Sequence, residues 1–339
     1  MAAAGQPWTD TGRSIVAGAT YGKRFDETGR SPLLPNVVAP LASNSYHAEV
    51  CRAVLDAKDE HDELPPHPML NNHDDDAGTV LHWALNQSLR EAALAIAASR
   101  HFQLSNSRMV VDGSTGLHIA AYKGFSEVVE VLLNRSDFSA VGGLDRDGFT
   151  ALHGAAFRGH AACAHLLLED ARIAKVAGAA GAFDVPRPPG HWASEAVVEY
   201  DMSTALHMAA ERGQDEICEA ILALAPDTCD ANATNRIGAT ALHIAARAGH
   251  AAVVAVLLRH GVVTAVNAHD ARGFTALHWA AHFASGDICA SLLAREDFTA
   301  VSSRDLRGRT AMDIAAAEGH FEVKRLIVAR LGPAGESPR

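Results

Sequence analysis

The chain has 339 residues, 48% of them hydrophobic and 20% charged, and a formal net charge of −11. That balance is the composition of a folded globular chain and excludes a highly charged disordered one. The acidity sets the molecule as a whole against nucleic acid and anionic lipid, and no apolar run is long enough to cross a bilayer as a helix.

Residues 1–28 lack the apolar core of a secretory signal and read as a flexible N-terminal segment. A cleaved organelle-targeting peptide stays open for them, with Asp10 and Asp26 counting against it. Residues 29–60 contain SPLL at 31–34 and YHAEVCRAVL at 46–55, the second a helical run. Residues 61–73 read as a linker loop. The surrounding stretch 60–76, EHDELPPHPMLNNHDDD, gathers His61, His67, His73 and Asp74, Asp75 and Asp76. These are metal-ligand residue types, but their spacing matches no ligand set. Pro65, Pro66 and Pro68 favour an extended, solvated chain, so no metal is expected.

From 74 to 331 the chain repeats itself. TALH begins at Thr150, Thr204, Thr240 and Thr275, with TVLH at Thr79, TGLH at Thr115 and TAMD at Thr310. The steps from threonine to threonine are 36, 35, 54, 36, 35 and 35 residues, so the long step is one unit of 35 plus an insertion of 19, placed at 177–195. Two before the threonine stand Gly113, Gly148, Gly238, Gly273 and Gly308; nine after it stand Gly124, Gly159, Gly213, Gly249 and Gly319. Alanine pairs fall five and six after it, as in Ala245–Ala246, and apolar pairs seventeen and eighteen after it, as in Leu257–Leu258. The threonine hydroxyl caps a short first helix, a glycine at positive φ ends it, and a more apolar second helix follows before a polar connector. Neither helix can bury its apolar face alone, so the units must stack.

In register and signature this array resembles the ankyrin repeat, T-P-L-H-x-A with a period of about 33 residues. Alanine mostly replaces the family's proline, and the units are two or three residues longer. The resemblance implies an all-α ankyrin-repeat solenoid of about seven clear repeats with hairpin connectors. Residues 29–60 then form a degenerate N-terminal capping repeat, and 332–339 a disordered tail. It also implies that His82, His118, His153, His207, His243 and His278 are structural, each tying its helix start to the threonine and a neighbouring hairpin. Packed helices lie about 8–10 Å apart, too far for these rings to share an ion whose ligands sit about 2 Å away. His160, His250 and His320, which open second helices, read the same way. Asp313 replaces the histidine in the last unit, which suits a repeat with no neighbour beyond it.

Cys51, Cys163, Cys218, Cys229 and Cys289 show no CxxC spacing and an odd count, which fits free thiols in a cytoplasmic or other reducing compartment. No catalytic motif emerges, and no cofactor is expected. The resemblance implies a non-enzymatic protein–protein interaction scaffold, monomeric alone, that binds partner proteins through hairpin tips and its concave face. The alternative is a targeting or regulatory subunit of an enzyme or channel assembly. By position in the repeat the contact residues are Tyr122, Lys123, Arg146, Phe149, Phe157, Arg158, Arg247, Arg272, Phe274, His282 and Phe283. Asn232 and Asn267 fall where hairpin asparagines bond across units, a position hydroxylated in some family members.

Overall fold

The computed structural model describes residues 47–55, 70–170, 172, 203–224 and 230–332. The segment 1–28, the SPLL half of the capping unit, residues 61–69 of the linker, the insertion 177–195, Cys229 and the tail from 333 lie outside them. Helix α1 covers residues 47–55. Seven helix pairs follow among the described residues: α2 Val80–Asn86 and α3 Arg90–Ala98; α4 Gly116–Lys123 and α5 Ser126–Asn134; α6 Ala151–Arg158 and α7 Ala161–Glu169; α8 Ala205–Arg212 and α9 Asp215–Leu224; α10 Ala241–Ala248 and α11 Ala251–Arg259; α12 Ala276–His282 and α13 Gly286–Leu293; α14 Ala311–Ala317 and α15 Phe321–Leu331.

Every first helix starts alike. Its threonine is the extended N-cap, and the residue three on, histidine or finally Asp313, completes a capping box. The helix stops after two turns, where Gly124, Gly159, Gly213 and Gly249 turn left-handed at φ between 71° and 80°. First helices then stack on first helices and second on second. The alanine pairs from Ala120–Ala121 to Ala280–Ala281 are fully buried in that contact, where a larger side chain would hold the backbones apart, and in the last unit Ala315 alone is. Helix α6 packs on α8 and α7 on α9, so the stack runs unbroken past the 54-residue step.

The hairpins are stitched to one another as well. Arg146 N–H donates to the Asp112 carbonyl, and Ala271 N–H to the Ile237 carbonyl, both at 2.8 Å. Within most of the described tips one carboxylate or amide oxygen accepts two backbone N–H groups, while Asp112 takes only that of Ser114. Asp145 takes those of Asp147 and Phe149, Asp270 those of Arg272 and Phe274, and Asp305 those of Arg307 and Arg309. Asp74 does the same for Asp76 and Gly78. Leu70 is buried nine residues before its threonine, like Val141, Val266 and Val301. The end of the expected linker, from Leu70 to His73, therefore belongs to the first hairpin, and Asp74 is a turn former of that repeat. At the N-terminal end Val50, Cys51 and Val54 of α1 are buried and His47 stacks on Trp83 at 6.1 Å, so α1 lies against the first pair.

Among the described residues three other than glycine take positive φ: Ala77 (55°), Ser88 (59°) and Ala284 (57°). Ala77 lies two before its threonine, and Ser88 and Ala284 lie nine after theirs, where the other repeats carry glycine. The stack imposes the left-handed turn on residues that resist it, at about 1–2 kcal/mol each. Replacing any of the three by glycine is expected to raise stability by roughly 0.5–1 kcal/mol in urea titration, after the entropy glycine loses on folding. Deleting 177–195 restores the 35-residue step between Thr150 and Thr204. The shortened chain should unfold in one cooperative transition; an aggregated or molten product would show that the insertion is part of the fold.

Candidate protein-interaction surface

The face built by the first helices and hairpin tips is organised by histidine. In each of the six units the threonine N–H donates to histidine Nδ1 at 3.1–3.2 Å, and the threonine hydroxyl meets the same nitrogen at 2.8–2.9 Å. Accepting at Nδ1 leaves the proton on Nε2, which points at the next repeat. His118 donates to the Gly143 and Phe149 carbonyls (3.0 and 3.2 Å), His207 to Ala239 (3.0 Å), His243 to Ala268 and Phe274 (3.0 and 3.1 Å) and His278 to Arg309 (3.3 Å). A ring with its Nδ1 lone pair and Nε2 proton both committed has nothing to offer a metal. Burial holds His82, His153 and His207 down to about 4 and lowers His118, His243 and His278 in the same direction.

The second histidine group points the other way. His160, His250 and His320 donate back to the carbonyls of Tyr122, Glu211 and His282, near the ends of the preceding first helices, at 2.9–3.1 Å. At Gly124 and Gly213 an added Cβ would stand 2.6 and 2.7 Å from the His160 and His250 rings, so these two glycines are fixed by contact as well as by φ. Asn232 and Asn267 bond across hairpins as expected from their position. The Asn232 oxygen takes the Thr264 and Ala265 N–H groups, and its amide donates to the Val262 carbonyl; Asn267 repeats this with Thr299, Ala300 and Asp297. Asn71 and Asn106 make the same kind of bridge and were not singled out in the sequence: Asn71 keeps the eight-residue offset but falls in the stretch read as a linker, and Asn106 lies nine before its threonine. Three arginines were also missed. Arg135 donates to the carbonyls of Ala97, Ser99 and Phe102, Arg172 to Leu133 and Phe138, and Arg295 to Leu258, closing the open C-terminal end of the preceding second helix. Their signal is the RxD step of RSD at 135–137 and RED at 295–297, each arginine fixed by its own aspartate.

The contact set divides by exposure. Arg146, Arg158 and Arg272 are exposed; Lys123, Phe149, Arg247, His282 and Phe283 are half-buried; Tyr122, Phe157 and Phe274 are buried at 4, 5 and 9% exposure. The rings expected at the surface are covered by the next repeat's cation. Arg158 sits over Tyr122 at 5.1 Å and Arg212 over Phe157 at 3.9 Å. Phe274 packs on His278 and Trp279, with centroids 5.4 and 4.9 Å away. What this face presents to solvent is therefore guanidinium over aromatic. Trp279, unremarked in the sequence, is the centre of its largest ring cluster. It falls four after its threonine, where most units carry Ile, Met or Gly and only Trp83 matches it. Of the cysteines, Cys51, Cys163, Cys218 and Cys289 are free and buried, and burial pushes the Cys51 and Cys289 thiols up to about 12 and Cys163 up to about 11. They are packing residues with little thiolate to react.

The family model described as "Ankyrin repeats (3 copies)" matches residues 92–177, 193–267 and 263–333, more than half of the chain. The chain belongs to the ankyrin-repeat family. Among solved structures it is similar to the ankyrin repeat domain of Bcl-3, a member of the IkappaB protein family, at 25% identity and a TM-score of 0.53, over 74% of this chain and 100% of that one. It is also similar in fold to the human ASB11 ankyrin repeat domain, at 23% identity and a TM-score of 0.54, over 75% of this chain and 98% of that one. Ankyrin repeats generally mediate protein–protein interaction. No helix among the described residues is long and apolar enough to cross a membrane.

Neutral buried histidines make the fold sensitive to acid. Below 6.5 the unfolded chain binds protons that the folded rings refuse until pH nears 4, so this stabilisation is complete above 6.5 and drains as pH falls toward 4. Near pH 5, His82, His153 and His207 together should give stability a slope of about 4 kcal/mol per pH unit, a third of it from each. Urea titration across this range measures it. His207→Gln, which can still cap the helix, should remove about a third of that slope, and a level stability from pH 7 to 4.5 would contradict the neutral tautomers.

Proposed function

We propose that this chain is a non-enzymatic scaffold that holds partner proteins along its hairpin tips and concave face. The observation that carries this reading is the row of exposed arginines, Arg146, Arg158 and Arg272, on a face of otherwise committed groups. The cap threonines, the hairpin carboxylates and four of the six buried histidines of that face spend their polar atoms in hydrogen bonds inside the fold. The arginines instead sit on a rigid support and keep donors toward solvent, as interface anchors do. Membership of the ankyrin-repeat family supports the same reading. Affinity purification of the full chain, with the stoichiometry of what it retains, is the test. Arg158→Glu together with Arg272→Glu should weaken capture and its salt dependence while barely moving the melting temperature. Failure to retain any protein near equimolar ratio would overturn the reading, and undiminished capture by the variant would move contact off this face.

A further inference from the structure

The hairpin tips change sign along the stack. The first two carry Asp75, Asp76 and Asp112, and the last three carry Arg236, Arg272 and the run RDLRGR at 304–309. Some of the arginines are already neutralised: Arg309 is bridged to Asp305 at 2.8 Å, and Arg247, on the adjoining helix, lies 3.7 Å from Glu211. Arg272 and Arg307 are exposed, and among the described residues neither has a carboxylate within ion-pairing distance. Behind Arg272 lies a fixed aromatic backing, Trp279, itself buried at 6% exposure. Trp279 donates its Nε1–H to Asp270 at 2.9 Å and lies parallel to Phe283, at 8° and 6.2 Å between centroids. The guanidinium of Arg272 stands 5.5 Å from the Trp279 ring centre. The carbonyl of Arg272 accepts the Leu306 N–H at 3.1 Å, which sets Leu306, 80% exposed, on the tip next to that of Arg272.

We propose that the tips carrying Arg272, Leu306 and Arg307, with Arg272 backed by the buried Trp279, dock an acidic protein segment bearing an apolar side chain among its carboxylates. The proposal rests on the interaction-module reading and gives it a location and a partner chemistry. Two guanidiniums without carboxylates offer planar forks for carboxylate groups. Trp279, stacked on Phe283 and bonded to Asp270, gives Arg272 a fixed backing, so ordering that guanidinium costs little. Leu306, exposed among cations, offers the apolar contact that a purely ionic site lacks. The aspartates of the first two tips repel the same segment, which confines it to the last three repeats. A long polyanion such as nucleic acid would feel the whole chain's charge of −11, whereas a short segment lies within about one Debye length, ~8 Å, of the arginines.

The experiment uses the full chain and a fluorescein-labelled dodecapeptide of glutamate and serine with a central leucine–phenylalanine pair. Fluorescence anisotropy should show saturable binding that weakens with salt. R272E combined with R307E should weaken it at least tenfold, and L306S a few-fold, while D75K with D76K at the opposite end leaves it within twofold. Should R272E disturb the sixth repeat, seen as a shifted melting temperature, R307E alone carries the same test. Equal binding of the lysine counterpart, tighter binding of a twelve-nucleotide single strand or of phosphatidylserine vesicles, or indifference to R272E and R307E would each overturn the site. If the chain retains a stoichiometric partner that R272E/R307E holds unchanged, the interaction-module reading survives and this site falls.

Discussion

The stack depends on one side chain used in two directions. In six of the seven first helices a histidine three residues beyond the capping threonine accepts from it, which starts the helix, and four of the six donate by hydrogen bond to the following hairpin, which fixes where the next helix begins. Helix initiation is local and costly on its own, and a two-turn helix is not stable in water. Stacking is non-local and needs the helix already formed. Joining the two through one imidazole makes each repeat's start contingent on its neighbour, which is how units too small to fold alone become one cooperative body. A single such hydrogen bond contributes only about 1 kcal/mol, so the effect lies in its recurrence.

The second histidine group and the hairpin asparagines complete the lattice. His250 reaches back to Glu211 while His207 reaches forward to Ala239, so adjacent units are tied at both ends of the first helix. Asn232 and Asn267 then tie the loops that connect them. With the backbone groups of the connectors spent this way, the tips are held rigidly, and side chains such as Arg272 and Arg307 project from fixed positions.

That rigidity explains why the exposed chemistry is cationic on an acidic chain. Rings at the end of the first helix are drawn into the gap between repeats, and the next repeat's arginine closes over them, as Arg158 does over Tyr122. The planar faces supply area for the guanidinium stems while the charged ends stay wet. Acidic groups are concentrated elsewhere, at the first tips and on the second helices, so the surface potential varies along the stack although the total charge is strongly negative.

The sequence by itself determined the repeat, its register, the capped start and left-handed stop of each first helix, and the structural use of the TxLH histidines. These follow from contacts three or nine residues apart, which a single chain displays directly. It also marked the insertion at 177–195 as a departure in length. Only the tertiary structure decided which surface residues are surface. Phe157 lies under Arg212, Arg135 closes a helix that ended at Ala98, and Trp279 is clasped by Arg247 and Arg272. Each of these partners, except Arg272, comes from a neighbouring repeat. Stacking brings residues some thirty-five positions apart into contact, and whether a ring or a charge at a variable position is covered depends on what the next unit happens to place there. Even Ala77, Ser88 and Ala284 obey that order, taking a glycine's conformation because the packed neighbours on either side leave the chain no other path.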